Sequence, residues 1–350
     1  MAKEGSEESS DETEEEVTSN DDSVGEPTLT DSQIFDLIKT HAQRIAELRG
    51  RPLLYLLYPY ASMLETPHGI TVYNLFRDHP REIEDLDVLV HSRGGDIHEA
   101  YDITKLCQSY SNGDVTLFVP LEAMSATTLL ALGVDEVVLS EIGKVGPLDP
   151  QVLHPENGRY MPVQSVTDVP KILEEALNTH TREIQPEVKG EAIIKPIAEQ
   201  VDPYYLTGND EKSQLAKQYG ERLLRRRGIT GETVDRCLET LVSEYPAHAF
   251  SIDYHEIQTN PDLKNIINAK QIKELDDGSE IERLMIEMAE LFIYWDFKYL
   301  DTEPRQDVKI ELFDPDSSEQ SQLGDLSDEI VEEEEIDPES SKAKAEQESD

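Results

Sequence analysis

Apolar residues recur at helical spacing through Ile34, Leu37, Ile38, Ala42, Ile45 and Leu48. That period puts them on one face of a helix, with Thr30 or Asp31 as its cap and Gly50 as its stop. Then the period changes. Residues 53–60 are rich in Leu and Tyr and read as a buried strand, and 85–91 (DLDVLVH) reads as another. Residues 97–110 return to helical spacing through Ala100, Ile103, Leu106, Cys107 and Tyr110. The stretch 115–119 is strand-like, 126–132 helical, and 136–139 strand-like again. Short strands alternating with helices imply parallel pairing in an α/β layer fold. From about Thr167 the pattern turns mainly helical, over 173–177, 193–201 and 212–227. A helix over 230–245, with Thr230 as cap, and an amphipathic segment over 281–300 follow.

Two strand-to-helix turns in this alternation carry candidate chemistry. The first is Ser92-Arg-Gly-Gly-Asp96. Tandem glycines let the backbone take conformations other residues avoid and let a substrate come close. Exposed N–H groups at such a turn can stabilise an oxyanion. The second is Ala123-Met-Ser-Ala-Thr127, where Ser125 is either a helix cap or a nucleophile. Successive strand-to-helix turns of a parallel layer lie at one sheet edge, so both turns are expected to face one site.

Composition narrows the classes. Net charge is −44 over 350 residues, which argues against direct nucleic-acid binding. Residues 1–30 hold eleven acids against one base, and 314–350 fifteen against two. Runs such as EESSDETEEE and VEEEEIDPESS bury too little apolar surface to offset chain ordering and are expected to be disordered tails. The two cysteines, Cys107 and Cys237, have no metal spacing and fit a reducing cytoplasm. No signal peptide is visible, and the longest apolar stretch, 52–64, is too short to span a bilayer as a helix. Four regions are expected: an acidic tail over 1–29, a main domain over 30–275, a C-terminal helical extension over 276–313, and an acidic tail over 314–350. No metal and no cofactor is expected.

The run from Ser92-Arg-Gly-Gly-Asp96 through Val119-Pro-Leu-Glu-Ala-Met-Ser-Ala-Thr127 to Gly146-Pro-Leu-Asp-Pro-Gln151 resembles the Clp protease/crotonase superfamily. Within it, the sequence is similar to the serine dehydrogenase proteinase family, relatives of signal peptide peptidase A. The likeness runs from about residue 51 to 155 and is diffuse to about 275. It implies a spiral of ββα units with added C-terminal helices. It also implies an ATP-independent serine peptidase with Ser125 as nucleophile. The oxyanion hole would be made by N–H groups of Gly95, Gly94 and Ala126. A peptide or protein substrate and a homo-oligomer are implied as partners.

The general base is less defined. Clp-type proteases place a histidine after the nucleophile helix, but Lys144-Val-Gly-Pro-Leu-Asp149 has none, and His154 falls a few residues late. The signal-peptide-peptidase branch uses a downstream lysine, which must be desolvated to act as a base. Lys144, Lys171 and Lys195 are the candidates. Lys171, within Val169-Pro-Lys-Ile-Leu173, best matches the expected place. Family members usually carry a glycine just after the serine. Ala126-Thr127-Thr128 stands here instead, and a Thr127 side chain pointing inward would make a silent peptide-binding scaffold. A crotonase-type acyl-CoA enzyme would need a basic pocket, for which Arg222, Arg225, Arg226 and Arg227 are the local supply. His98 with Asp102 would share a helix face and reads as a surface pair rather than a metal site, and Asp253 with His255 as triad partners of Ser125 is a minor reading to which the lysine-type branch gives no role.

Overall fold

The computed structural model describes residues 29–60, 62–153, 160–162, 203–298 and 308–316. Helix α1 (Asp31–Arg49) begins at Thr30, whose hydroxyl accepts from the Gln33 N–H while the Gln33 side chain reaches back to the cap. It ends at Gly50, at φ 64°, a left-handed position that glycine takes without Cβ strain. Strand β1 (Leu53–Leu57) follows, then α2 (His68–Asp78), β2 (Leu86–His91), α3 (Ile97–Tyr110) and β3 (Val115–Val119). Next come β4 (Glu122–Ala123), a 3-10 turn (Ser125–Thr127), α4 (Thr128–Gly133), β5 (Glu136–Leu139) and β6 (Lys144–Val145). Strands β7 (Gln151–Leu153) and β8 (Tyr160–Pro162), paired antiparallel, come next among the described residues. Helix α5 (Pro203–Arg226), α6 (Glu232–Glu239), α7 (Tyr254–Thr259) and α8 (Pro261–Lys264) lead to β9 (Ala269–Gln271). Helix α9 (Gly278–Lys298) and β10 (Lys309–Phe313) complete the order.

The main sheet runs β10-β1-β2-β3-β5-β9. All of its neighbouring pairs are parallel except β10 with β1, which is antiparallel. Parallel strands with both faces covered are expected to read as near-continuous apolar runs, as LLYLL does and as VTLFV does apart from Thr116. Alternate residues feed two cores. Leu54, Leu56, Val88, Val90, Leu117 and Val119 pack in one with residues of α2, α3, α4 and α5. Leu53, Tyr55, Leu57, Leu89, Phe118 and Val138 pack in the other with α1 and α9.

The alternation over 85–139 matches the expected elements closely. Elsewhere the fold differs. Helix α2 was not expected; its buried Val72, Leu75 and Phe76 are interleaved with exposed Ile70 and Tyr73. Thr230 does not cap α6, whose N-cap is Gly231, and the helix passes into a π turn over Thr240–Glu244. The 276–313 segment is more than helical: β10 lies on the edge of the main sheet beside β1. The expected segments 173–177 and 193–201 lie outside the described residues.

A short second layer sits at the carboxyl ends of the strands. Strands β4 and β6 pair in parallel, Ser92 bridges Ala123, and Val145 bridges Ile252. This layer positions the candidate site.

Candidate active site

The first turn is fixed by its glycines and its cap. Gly94 has φ 114° and Gly95 φ 141°, both where side chains are strained. The Gly94 N–H donates to the Ser92 hydroxyl at 3.1 Å. Gly95 lies against Leu64, whose N–H donates to the Gly94 carbonyl at 2.9 Å and whose carbonyl accepts from the Asp96 N–H at 2.7 Å. A Cβ on Gly95 would stand 2.3 Å from the Leu64 nitrogen, so only glycine fits. The Asp96 carboxylate then caps α3 by accepting from the His98 and Glu99 N–H groups.

The second turn is tied to the first by backbone. The Ser92 N–H donates to the Glu122 carbonyl, and the Met124 N–H donates to the Ser92 carbonyl, both at 3.0 Å. The two turns expected to share a site are therefore neighbours. A Cβ on Gly94 would lie 2.7 Å from the Ser125 Cβ and 3.2 Å from its Oγ. Ser125 has φ 52°, a left-handed conformation that costs a non-glycine residue about 1–2 kcal/mol. It is no helix cap: the 3-10 turn and α4 both begin without a side-chain cap bond. Among the described residues its hydroxyl has no hydrogen-bond partner, and neither the Gly95 nor the Ala126 N–H meets an acceptor. Alpha-helical structure after Ser125 is only six residues long, so its start supplies N–H groups more than a long dipole.

The threonines after Ser125 serve the backbone. Thr127 is fully buried and its hydroxyl donates to the Met124 carbonyl. Its side chain is enclosed rather than projecting into open space. Thr128, also buried, donates to the Gly146 carbonyl at 2.9 Å and so clasps the next loop. That loop reaches Ser125 directly, because a Cβ on Gly146 would lie 3.2 Å from the Ser125 nitrogen.

The same loop brings in a pair that sequence reasoning missed. His248 Nδ1 lies 2.8 Å from the Asp149 carboxylate. Asp149 is three residues beyond Gly146, within about 10 Å of it along the chain. The Leu148 N–H donates to the Leu241 carbonyl, and Val145 and Ile252 exchange backbone bonds, which frames His248 beside this loop. The pair joins residues 99 positions apart, so no local spacing announces it.

The expected bases fare differently. Lys171, Lys195 and His154 lie outside the described residues. Lys144 is partly exposed with its amine 3.9 Å from the Glu122 carboxylate, and so lacks the desolvated setting a lysine base needs. The Asp253 carboxylate caps α7 by accepting from the Glu256 N–H, which leaves it a structural role. His98 Nδ1 sits 2.7 Å from the Tyr219 hydroxyl, and Asp102 pairs with Lys105. No group of metal-ligating side chains occurs among the described residues. Burial pushes the Cys107 and Cys237 thiols up to about 12, which removes both as nucleophiles. The arginine patch is divided: Arg225 pairs with Glu221, Arg226 bonds Ser109, and Arg227 donates to the Leu132 and Ile266 carbonyls. His91, at the end of β2, is held down to about 4 by burial and then by the neighbouring Arg93. No helix among the described residues is long and apolar enough to cross a membrane.

Comparison with known proteins completes the picture. Two uncharacterized proteins of Methanocaldococcus jannaschii are similar. One is 34% identical over 67 residues, covering 19% of this chain and 23% of the relative. The other is 26% identical over 104 residues, covering 30% and 35%. The chain thus spans about a quarter to a third of the length of these curated relatives. A crystal structure of an enoyl-CoA hydratase/isomerase from Pseudoalteromonas atlantica T6c aligns at 14% identity and a TM-score of 0.24, covering 56% of this chain and 89% of that one. Residues 53–203, which contain both turns and the Gly146–Gln151 loop, match the model of the ClpP-like SDH-type serine proteinases. With its parallel sheet and its β3–β4–α4 unit, the chain has a mixed α/β fold, and over residues 53–203 it is similar to the ClpP-like SDH-type serine proteinase family.

Proposed function

We propose that this protein is a serine peptidase that cleaves peptide bonds without ATP, with Ser125 as nucleophile. The observation that carries the reading is the state of Ser125: strained at φ 52°, uncapped, and abutting a glycine turn. Strain at a non-glycine residue persists when the surroundings over-determine it, and such residues cluster at functional sites. In this reading the Ser125 oxygen attacks the amide carbonyl. The N–H groups of Gly95 and Ala126 take the oxyanion as charge develops. The Gly94 N–H, already bonded to Ser92, supports the turn rather than the oxyanion.

The base we assign is His248, oriented by Asp149. It takes the Ser125 proton, returns it to the leaving amine, and then activates the water that releases the acyl group. Catalytic hydrogen bonds in a free enzyme are often long or poorly aligned and tighten only when substrate binds. Lys171, the base implied by the signal-peptide-peptidase likeness, is the competing assignment.

Covalent labelling with a fluorophosphonate probe tests both. Labelling lost in Ser125→Ala and sharply reduced in His248→Gln supports the assignment. Reduction in Lys171→Ala with His248→Gln unchanged moves the base to the lysine. No labelling of the folded wild-type protein, beside a labelled serine-peptidase control, refutes the peptidase reading.

A further inference from the structure

Next to the glycine turn stands a cation without a function in the chemistry above. Arg93 directly precedes Gly94, the residue that abuts Ser125. Its side chain is about half exposed. Its guanidinium lies over the Tyr60 ring, 4.2 Å from the centroid. Tyr60 is itself anchored from the far end of α9, where the buried Asp296 carboxylate accepts from the Tyr60 N–H at 2.6 Å. The Tyr60 backbone is thus anchored, and its ring, under the arginine, also packs against the Phe297 ring at 5.9 Å between centroids.

The donors of that arginine are open. A guanidinium carries five N–H groups in a planar fork. Among the described residues Arg93 makes no hydrogen bond, and the one carboxylate within ion-pair range is Glu122 at 3.9 Å. Glu122 is shared with Lys144, also at 3.9 Å. Two cations flank one carboxylate at the strand that leads into Ser125. Stacking holds the fork in place while leaving its edge free for a bidentate partner.

We infer that Arg93 is a specificity residue that binds a substrate carboxylate beside the scissile bond, held for that purpose by the Tyr60 platform. The inference rests on the peptidase reading. The carboxylate belongs to an Asp or Glu side chain or to the substrate's own C-terminus. Arg93 suits either source, because both present the same pair of oxygens to the fork.

The test uses the full-length protein and matched peptides. Each flanking position is varied between Glu and Gln, and each series is made with a C-terminal acid and a C-terminal amide. The wild type is expected to cleave the carboxylate peptide with a kcat/KM at least about tenfold higher at one position, the size expected of a charged hydrogen bond. Arg93→Gln is expected to erase that preference, and Arg93→Glu to shift it toward lysine-containing peptides. A preference that follows Glu in the amide series identifies a side-chain carboxylate, and one confined to the acid series identifies the terminus. Equal rates for Glu and Gln, and for acid and amide, in wild-type protein that labels with fluorophosphonate would overturn the inference and leave the peptidase reading standing. So would a preference that survives Arg93→Gln. Wild-type protein that neither labels nor cleaves would overturn the peptidase reading, and the assignment of Arg93 with it.

Discussion

The two strand-to-helix turns at the site are built from similar parts and finished in opposite ways. At the first, Asp96 caps α3 and satisfies two N–H groups with its carboxylate. At the second, Ser125 stands where a cap would be and bonds neither Ala126 nor Thr127. A capped turn is complete as it stands. An uncapped one keeps donors for something else. Backbone strain is also distributed unequally: the first turn assigns its positive φ values to Gly94 and Gly95, whereas the second assigns one to a serine. Placing a hydroxyl at a left-handed position is costly, and the uncapped turn is where that cost has a chemical use.

The contrast can be broken in steps. Ser125→Ala should lower peptidase turnover by at least about 10⁴-fold, read with a fluorogenic peptide. Ser125→Gly should do the same and yet raise the unfolding free energy by about 1 kcal/mol, because glycine relieves the strain. A stability loss for that glycine variant would mean that the serine is structural after all.

Gly95→Ala should cost about 2–4 kcal/mol, read by denaturant unfolding, because its Cβ would strike the Leu64 backbone at an unfavourable φ. Gly94→Ala should instead show its main effect at Ser125, the side chain its Cβ would meet.

His91 sharpens the comparison through pH. Its folded value is about 4 against an ordinary 6.5, so the unfolded chain binds the proton more readily. The contribution to stability is complete above pH 6.5, falls as pH drops through that value, and is gone below about 4, for a total of about 3 kcal/mol. His91→Leu should flatten that limb in urea unfolding at pH 7 and 4.5. Smallest, Asp96→Ala should cost about 1 kcal/mol, the usual value of a lost cap. Its labelling by fluorophosphonate should drop far less than that of Ser125→Ala.

Much of the central frame was legible in the chain. The strands over 115–119 and 136–139 and the helix over 97–110 coincide with the observed β3, β5 and α3. Each is a local period of apolar residues bounded by Gly, Asp or Ser, which is information a short window contains. Helix α2 was missed because exposed Ile70 and Tyr73 blur its buried face. Strand β10 was missed for another reason: Lys309–Phe313 is a strand because β1, some 250 residues earlier, offers it an edge.

The sequence by itself determined the alternating α/β layer, the placing of Ser125 and Gly94-Gly95 on successive turns, and the expectation that those turns meet. Their meeting follows from parallel pairing, which brings such turns to one edge. Tertiary structure alone decided whether Ser125 caps a helix, since a cap is a matter of φ and hydrogen bonding rather than residue type. It alone joined Asp149 to His248 and stacked Arg93 on a tyrosine anchored by Asp296. Those contacts link residues distant in the chain, and they exist because the sheet and the helix packed across it fix where each segment lies. Helical and strand periods are written in neighbouring residues, whereas the approach of two side chains from separate segments is written only in the folded packing.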